Sequence, residues 1–153
     1  MAIPVLWKHL RAIDGGAKLT DAMHDALYGA SLWAGIVLNA VGTSFPHPFG
    51  YVLTEDYGVT HGRACTTFMP ALLEQTKVHC PERVEELFRI LGCAEEEFTP
   101  VIWRLSNTDS VRMTEEAIQN YLPRFEHLKH YDNVYGGFNV QQAEQVFRTL
   151  FLK

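Results

Sequence analysis

The sequence predicts an all-α protein, a helical bundle, on three observations. Apolar residues recur with a period near 3.6 along almost the whole chain. No run alternates with period two for long enough to make a strand. Residues that open and close helices stand at the joints: Thr20, Pro81, Thr114 and Asn139 as starts, Gly15-Gly16 and Gly92 as stops. At 153 residues the chain is the size of one domain and can bury a real core.

The elements follow in order. Residues 3 to 13 read as a short amphipathic helix ended by Asp14-Gly15-Gly16. Thr20 caps the next, whose Ala26, Leu27, Ala30, Ala34, Val37, Leu38 and Val41 keep one apolar stripe. Its small residues Gly29, Ala30, Ser31, Ala34 and Gly35 allow close approach of another helix. A turn or short helix is expected around 47 to 54, then a loop from Glu55 to Thr60. A helix from about 62 to 76 carries Ala64, Phe68, Ala71 and Leu72, kinked at Pro70 because an interior proline loses a hydrogen bond and crowds the preceding turn. Pro81 opens a helix through Val84, Leu87, Phe88 and Leu91. Ala94 to Leu105 makes another, interrupted or restarted at Pro100. Thr114 opens a helix through Ile118 and Tyr121, bent at Pro123. Tyr131, Tyr135 and Phe138 tie down the loop around Gly136-Gly137. Asn139 caps a last helix with Val140, Ala143, Val146, Phe147, Leu150 and Phe151 on its apolar face.

A formal net charge of -5 and no basic stripe argue against nucleic acid and against anionic membranes as partners. The N-terminal apolar run is too short for a signal peptide, and no run is long enough to span a bilayer. Three scattered cysteines, at 65, 80 and 93, fit reduced thiols in a cytoplasmic protein. Cys65 falls inside an apolar helix and reads as a small core residue.

The chemistry concentrates in Phe45-Pro-His-Pro-Phe-Gly-Tyr51 and Gly58-Val-Thr-His-Gly-Arg-Ala-Cys65. His47 and His61 lie fourteen residues apart, both at starts of structure, where two imidazoles joined by a Gly-containing loop can converge. Imidazole is the commonest protein ligand for a metal, so a shared ion is the sharp reading. The spacing is neither the i,i+4 pair of a zincin helix nor a Cys/His finger, and by itself leaves two independent loop histidines open. Asp21 and His24 read as a solvated first helical turn. His127 and His130 read as polar histidines near a helix C-terminus, where imidazolium suits the helix dipole.

The longer pattern carries a resemblance. Ala30-Ser31 with Ala34-Gly35, His47 thirteen residues after Ala34, Tyr51, Gly58-x-x-His61-Gly-x-Ala-Cys65 and then Pro70 closely resemble the group III, iron-containing alcohol dehydrogenases. The likeness runs without a gap over residues 20 to 75, the metal-site motif region, and continues to 153 only in outline. It implies a single helical domain over residues 1 to 153, similar to that family's C-terminal metal domain. It implies His47 and His61 as ligands of a divalent metal, iron or zinc. Two further ligands of the family lie on an upstream D-x-x-x-H helix. That helix and the nucleotide-binding domain are expected to be absent, and no G-x-G-x-x-G follows a strand here. Tyr51 matches a position, four after the first ligand, where many members carry a second histidine near the substrate; as tyrosine it can hydrogen-bond substrate or pack behind it.

The function so implied is the C-terminal portion of a metal-dependent, NAD(P)-linked alcohol dehydrogenase acting on a small alcohol or aldehyde, inactive without its nucleotide domain. Two other readings stand beside it. One is a non-catalytic helical interaction module derived from that domain, marked by a large exposed apolar face that could also drive self-association. The other is a small metal-dependent hydrolase using His47 and His61 with the loop acids Glu55 and Asp56.

Overall fold

A computed structural model describes residues 2–152. Among the described residues nine α-helices run in chain order: α1 (Ala2–Asp14), α2 (Asp21–Val41), α3 (Pro46–Tyr57), α4 (His61–Thr67), α5 (Met69–His79), α6 (Pro81–Leu91), α7 (Glu95–Ser106), α8 (Glu115–Tyr121) and α9 (Val140–Phe151). Short 3-10 helices at Leu122–Phe125 and Lys129–Asn133 join α8 to α9. The only β-type pairing among the described residues is an isolated bridge between Met113 and Leu152. The fold is the all-α bundle expected from the periodicity.

The caps act as the sequence requires. Thr20 accepts a hydrogen bond from the Met23 amide, Thr114 from Ala117 and Asn139 from Gln142, each satisfying an otherwise orphaned first-turn donor. Gly92 closes α6 with φ 65°, a left-handed conformation that glycine adopts without a Cβ penalty.

Three features differ from expectation, and the cover of α2 is a fourth finding. The short element at 47–54 is a full helix reaching Tyr57, so Glu55 and Asp56 are helical and the loop shrinks to residues 58–60. The helix expected over 62–76 is broken rather than kinked. Phe68 separates α4 from α5, and Pro70 sits in the first turn of α5, where its missing N–H costs nothing. Pro100 does the opposite of its expected effect: α7 runs through it unbroken, since a proline six residues in removes one early hydrogen bond. The fourth finding concerns burial. The α2 stripe finds little cover in the bundle: Ala30 is the one buried residue of the helix, and Val37, Leu38 and Val41 are exposed.

Two apolar clusters hold the bundle. The larger centres on Phe49, whose ring lies 4.6 Å from Phe125, 5.3 Å from Phe147 and 5.4 Å from Phe68, centroid to centroid. The smaller joins Trp7, Leu73, Phe98, Val101 and Ile102, from α1, α5 and α7. Between α4 and the end of α7 runs a buried chain of hydroxyls. Thr67 Oγ1 donates to the Arg63 carbonyl or to Thr108 Oγ1, and Ser106 lies 3.3 Å from Thr108. Pairing these hydroxyls with one another and with backbone carbonyls removes most of the cost of burying them.

Asp14, at the end of α1, takes two hydrogen bonds from Arg104 of α7, at 2.9 and 2.7 Å. These bonds hold the Asp14 carboxyl below its usual value of 3.8, against an opposing push from burial. A depressed carboxylate stabilises the fold fully above its unfolded-state pKa, and that contribution is lost as pH falls through the folded-state value. Arg104 is more than half exposed, so solvent screens the pair and the effect is small. Asp14→Asn is expected to lower the urea midpoint slightly at pH 7, with the gap from the unsubstituted chain closing as pH falls below 3.8.

Candidate metal centre

His47 is the second residue of α3. Its placement starts with Phe45, which is fully buried and stacks on Phe138 at 4.1 Å, fixing where the chain enters the helix. Pro46 then begins α3 with its φ already helical. His61 is the first residue of α4. What brings the two helix starts together is Gly50. A Cβ there would meet Cys65 Sγ at 2.8 Å and the Cys65 amide nitrogen at 3.0 Å. The missing side chain lets α3 and α4 cross at close to backbone contact.

The result is a cluster of rings. His47 and His61 lie 5.0 Å apart, centroid to centroid, edge to face. Tyr51, one turn after His47, is 5.1 Å from His47 and 4.9 Å from His61, and remains 42% exposed. Thr54 Oγ1 is 3.4 Å from His61 Nδ1, and Cys65 Sγ is 3.5 Å from His61 Nε2. Burial pushes the Cys65 thiol up, so it stands beside His61 as a neutral group.

Sequence reasoning missed one member. His130, on the Lys129–Asn133 turn, stacks at 6.2 Å on the face of His47. Asn133 of the same turn donates to the Thr43 carbonyl at 2.9 Å, tying it to the segment that leads into α3. Nothing local in residues 127 to 132 signals this, because the contact spans more than eighty positions. His127 does not join: it occupies a left-handed turn position with φ 55°. Asp21 and His24 lie exposed on the first turn of α2, where His24 faces Asp25 at 3.8 Å. Glu55 is taken up by Arg124 at 2.7 Å.

The donor chemistry fits a divalent ion. Imidazole nitrogen suits iron and zinc alike. His47 Nδ1 is buried with no hydrogen-bond partner in the protein, as is His130 Nδ1. Buried polar atoms are seldom left unpaired without a purpose. Burial, with smaller contributions from His61 and His130, pushes the His47 pKa down and favours the neutral, ligating form. Among the described residues no group of three or more His, Cys, Asp and Glu side chains is placed to hold an ion.

The described residues form a helical bundle with two imidazoles brought together at two helix starts. The model of the Fe-containing alcohol dehydrogenase family, C-terminal, matches residues 1–122, and the chain belongs to that family. Two solved structures share the fold. An iron-containing alcohol dehydrogenase from Thermotoga maritima superposes with a TM-score of 0.79 at 24% identity, over 98% of this chain and 40% of that one. A second iron-containing alcohol dehydrogenase gives 0.77 at 24% identity, over 96% and 39%. The chain thus spans about two fifths of the length of these structures. No curated protein sequence matches it.

Gly50→Ala is expected to force α3 and α4 apart, costing about 1–3 kcal/mol as in other over-packed cores. Denaturant unfolding should show the loss. Calorimetric titration with zinc or ferrous iron should show weaker binding in the folded variant, because the His47–His61 separation grows with the helix spacing.

Proposed function

We propose that this chain forms the metal-binding part of an NAD(P)-linked, iron-type alcohol dehydrogenase that interconverts small alcohols and aldehydes. The observation that carries this reading is the His47–His61 pair, 5.0 Å apart, with Tyr51 against both rings. The family to which the chain belongs supports it.

In this reading His47 and His61 hold the ion as neutral imidazoles, and the burial that disfavours imidazolium at His47 serves that purpose. A bound divalent ion supplies Lewis acidity toward the oxygen of an alcohol or aldehyde. Tyr51, partly exposed beside both rings, offers a hydroxyl that can hydrogen-bond the same oxygen and orient the substrate. The aromatic faces of Tyr51 and His130 restrict water around His47. A nicotinamide cofactor, bound outside these residues, would supply the hydride chemistry. Its binding belongs to the part of the family's length that these residues do not cover, so residues 1 to 153 alone are proposed to be inactive.

A second reading rests on α2. From Ala26 to Val41 the helix carries no charged residue, yet Trp33 is 67% exposed and Ile36 61%, with Leu32, Val37 and Val41 beside them. A contiguous apolar face of this kind marks an interaction surface. In the dehydrogenase reading it receives the remainder of the enzyme; alone, it drives self-association. As to location, no single helix among the described residues is long and apolar enough to cross a membrane. The pair α2 and α3 reaches that composition only across a 116° bend, and α3 is committed to the core. The three free cysteines agree with the cytoplasmic location proposed from the sequence.

Two experiments test these readings. Elemental analysis and calorimetric titration should show a divalent ion lost in His47→Ala and His61→Ala and retained in His24→Ala. Equal loss in all three would overturn the ligand assignment, and micromolar NAD(P) binding by this chain would overturn the division of labour. Sedimentation of the chain over a range of concentrations should show association that Trp33→Glu with Ile36→Glu abolishes. A strictly monomeric parent chain would remove the α2 interface.

A further inference from the structure

On the side of α4 away from the core aromatics lies a cavity that the metal chemistry does not use. Helices α1, α4, α6 and α7 wall a space of about 530 Å³. That is large enough for one small ligand. Its lining is almost wholly apolar, with half-buried Leu6, Leu10, Leu87 and Leu91 around the ring of Trp7. The one charged residue lining it is Arg63. Of the other polar atoms there, the Thr66 hydroxyl already donates to the Gly62 carbonyl at 2.7 Å, and Trp7 Nε1 is buried without a partner.

Arg63 differs from every other arginine among the described residues. Arg11, Arg83, Arg89, Arg104, Arg124 and Arg148 each pair with a carboxylate. Arg112 donates to the backbone carbonyls of Asp109 and Val111. Arg63 alone has no ion pair and no side-chain hydrogen bond. A guanidinium presents donors in a planar fork suited to a carboxylate, held here at the edge of an apolar chamber with no protein acid opposite it.

We propose that this cavity binds a medium-chain aliphatic carboxylate, its tail among the leucines beside Trp7 and its head group on Arg63. The concave shape favours a single chain over a flat protein surface, and the lone cation favours an acid over an alcohol. Gly62 also lines the cavity, and a Cβ there would meet nothing within 4 Å, so a larger side chain at 62 would project into open space at the site.

The test uses the full chain with Trp33→Phe and Trp103→Phe, leaving Trp7 as the fluorescent reporter, titrated with sodium octanoate, sodium decanoate and decanol. Saturable one-to-one decanoate binding is expected, with affinity rising about fourfold for each added methylene. Arg63→Gln, at an exposed position, should weaken decanoate about tenfold or more, in line with the loss of a charged hydrogen bond, and leave decanol unchanged. Gly62→Leu should weaken both ligands, with circular dichroism confirming the fold. No saturable decanoate response, or equal decanoate binding in Arg63→Gln and the parent, would overturn the proposal. Should Gly62→Leu misfold, the Arg63→Gln arm decides the matter alone.

Discussion

The contact on which the rest of the candidate centre depends is the crossing of α3 and α4 at Gly50 and Cys65. A glycine inside a helix costs roughly 0.5–1 kcal/mol relative to alanine. Here it is repaid by position, because the two helix starts that carry His47 and His61 can approach only if the crossing point has no Cβ. The residues around Gly50 keep the arrangement from relaxing. Phe49, Val52 and Leu53 on α3 are fully buried, as are Ala64 and Thr67 on α4. The ring pair is therefore set by backbone packing and not by flexible side chains reaching toward each other, which is the kind of support a ligand pair needs.

The same crossing divides the bundle's labour. One face of α4 meets the Phe49 cluster, and the other, through Gly62, Arg63 and Thr66, meets the cavity walled by α1, α6 and α7. Thr67 links α4 to the end of α7 through buried hydroxyls, so the two apolar clusters meet across a polar joint. Buried hydroxyls have directional needs that apolar contacts lack, and such a joint fixes the register of α4 against α7. A seven-residue helix would have little stability by itself. It is held because packed elements surround it.

The α2 helix shows what periodicity can and cannot say. Both α2 and α9 carry an apolar stripe at helical spacing, Ala26, Ala30, Ala34, Val37 and Val41 in the first and Val140, Ala143, Val146, Phe147, Leu150 and Phe151 in the second. In α9 the stripe is buried, with Ala143, Phe147 and Phe151 inside. In α2 the stripe is largely bare. A 3.6-residue pattern reports that a helix has an apolar face, and whether anything covers that face is a property of the assembly. The small residues of α2 make the face a close-approach surface.

Sequence by itself determined the helices, their caps and the pair of histidines. These follow from short-range rules: a side-chain oxygen three residues before an amide, a proline in a first turn, a repeat of 3.6. Where local rules conflict they gave the wrong boundary. Pro70 and Pro100 look alike in sequence, but one begins a helix and the other sits inside one, since tertiary packing chose which hydrogen bonds to give up. The candidate site divides in the same way. His47, Tyr51 and His61 were legible because they fall within fifteen residues of one another in a recognisable pattern. Gly50 as the crossing point and His130 as the stacked neighbour were not, because each gains its role from a residue on another element. Tertiary structure alone decided those, along with the exposure of α2 and the isolation of Arg63, because close approach, burial and pairing are relations between segments that no single segment encodes.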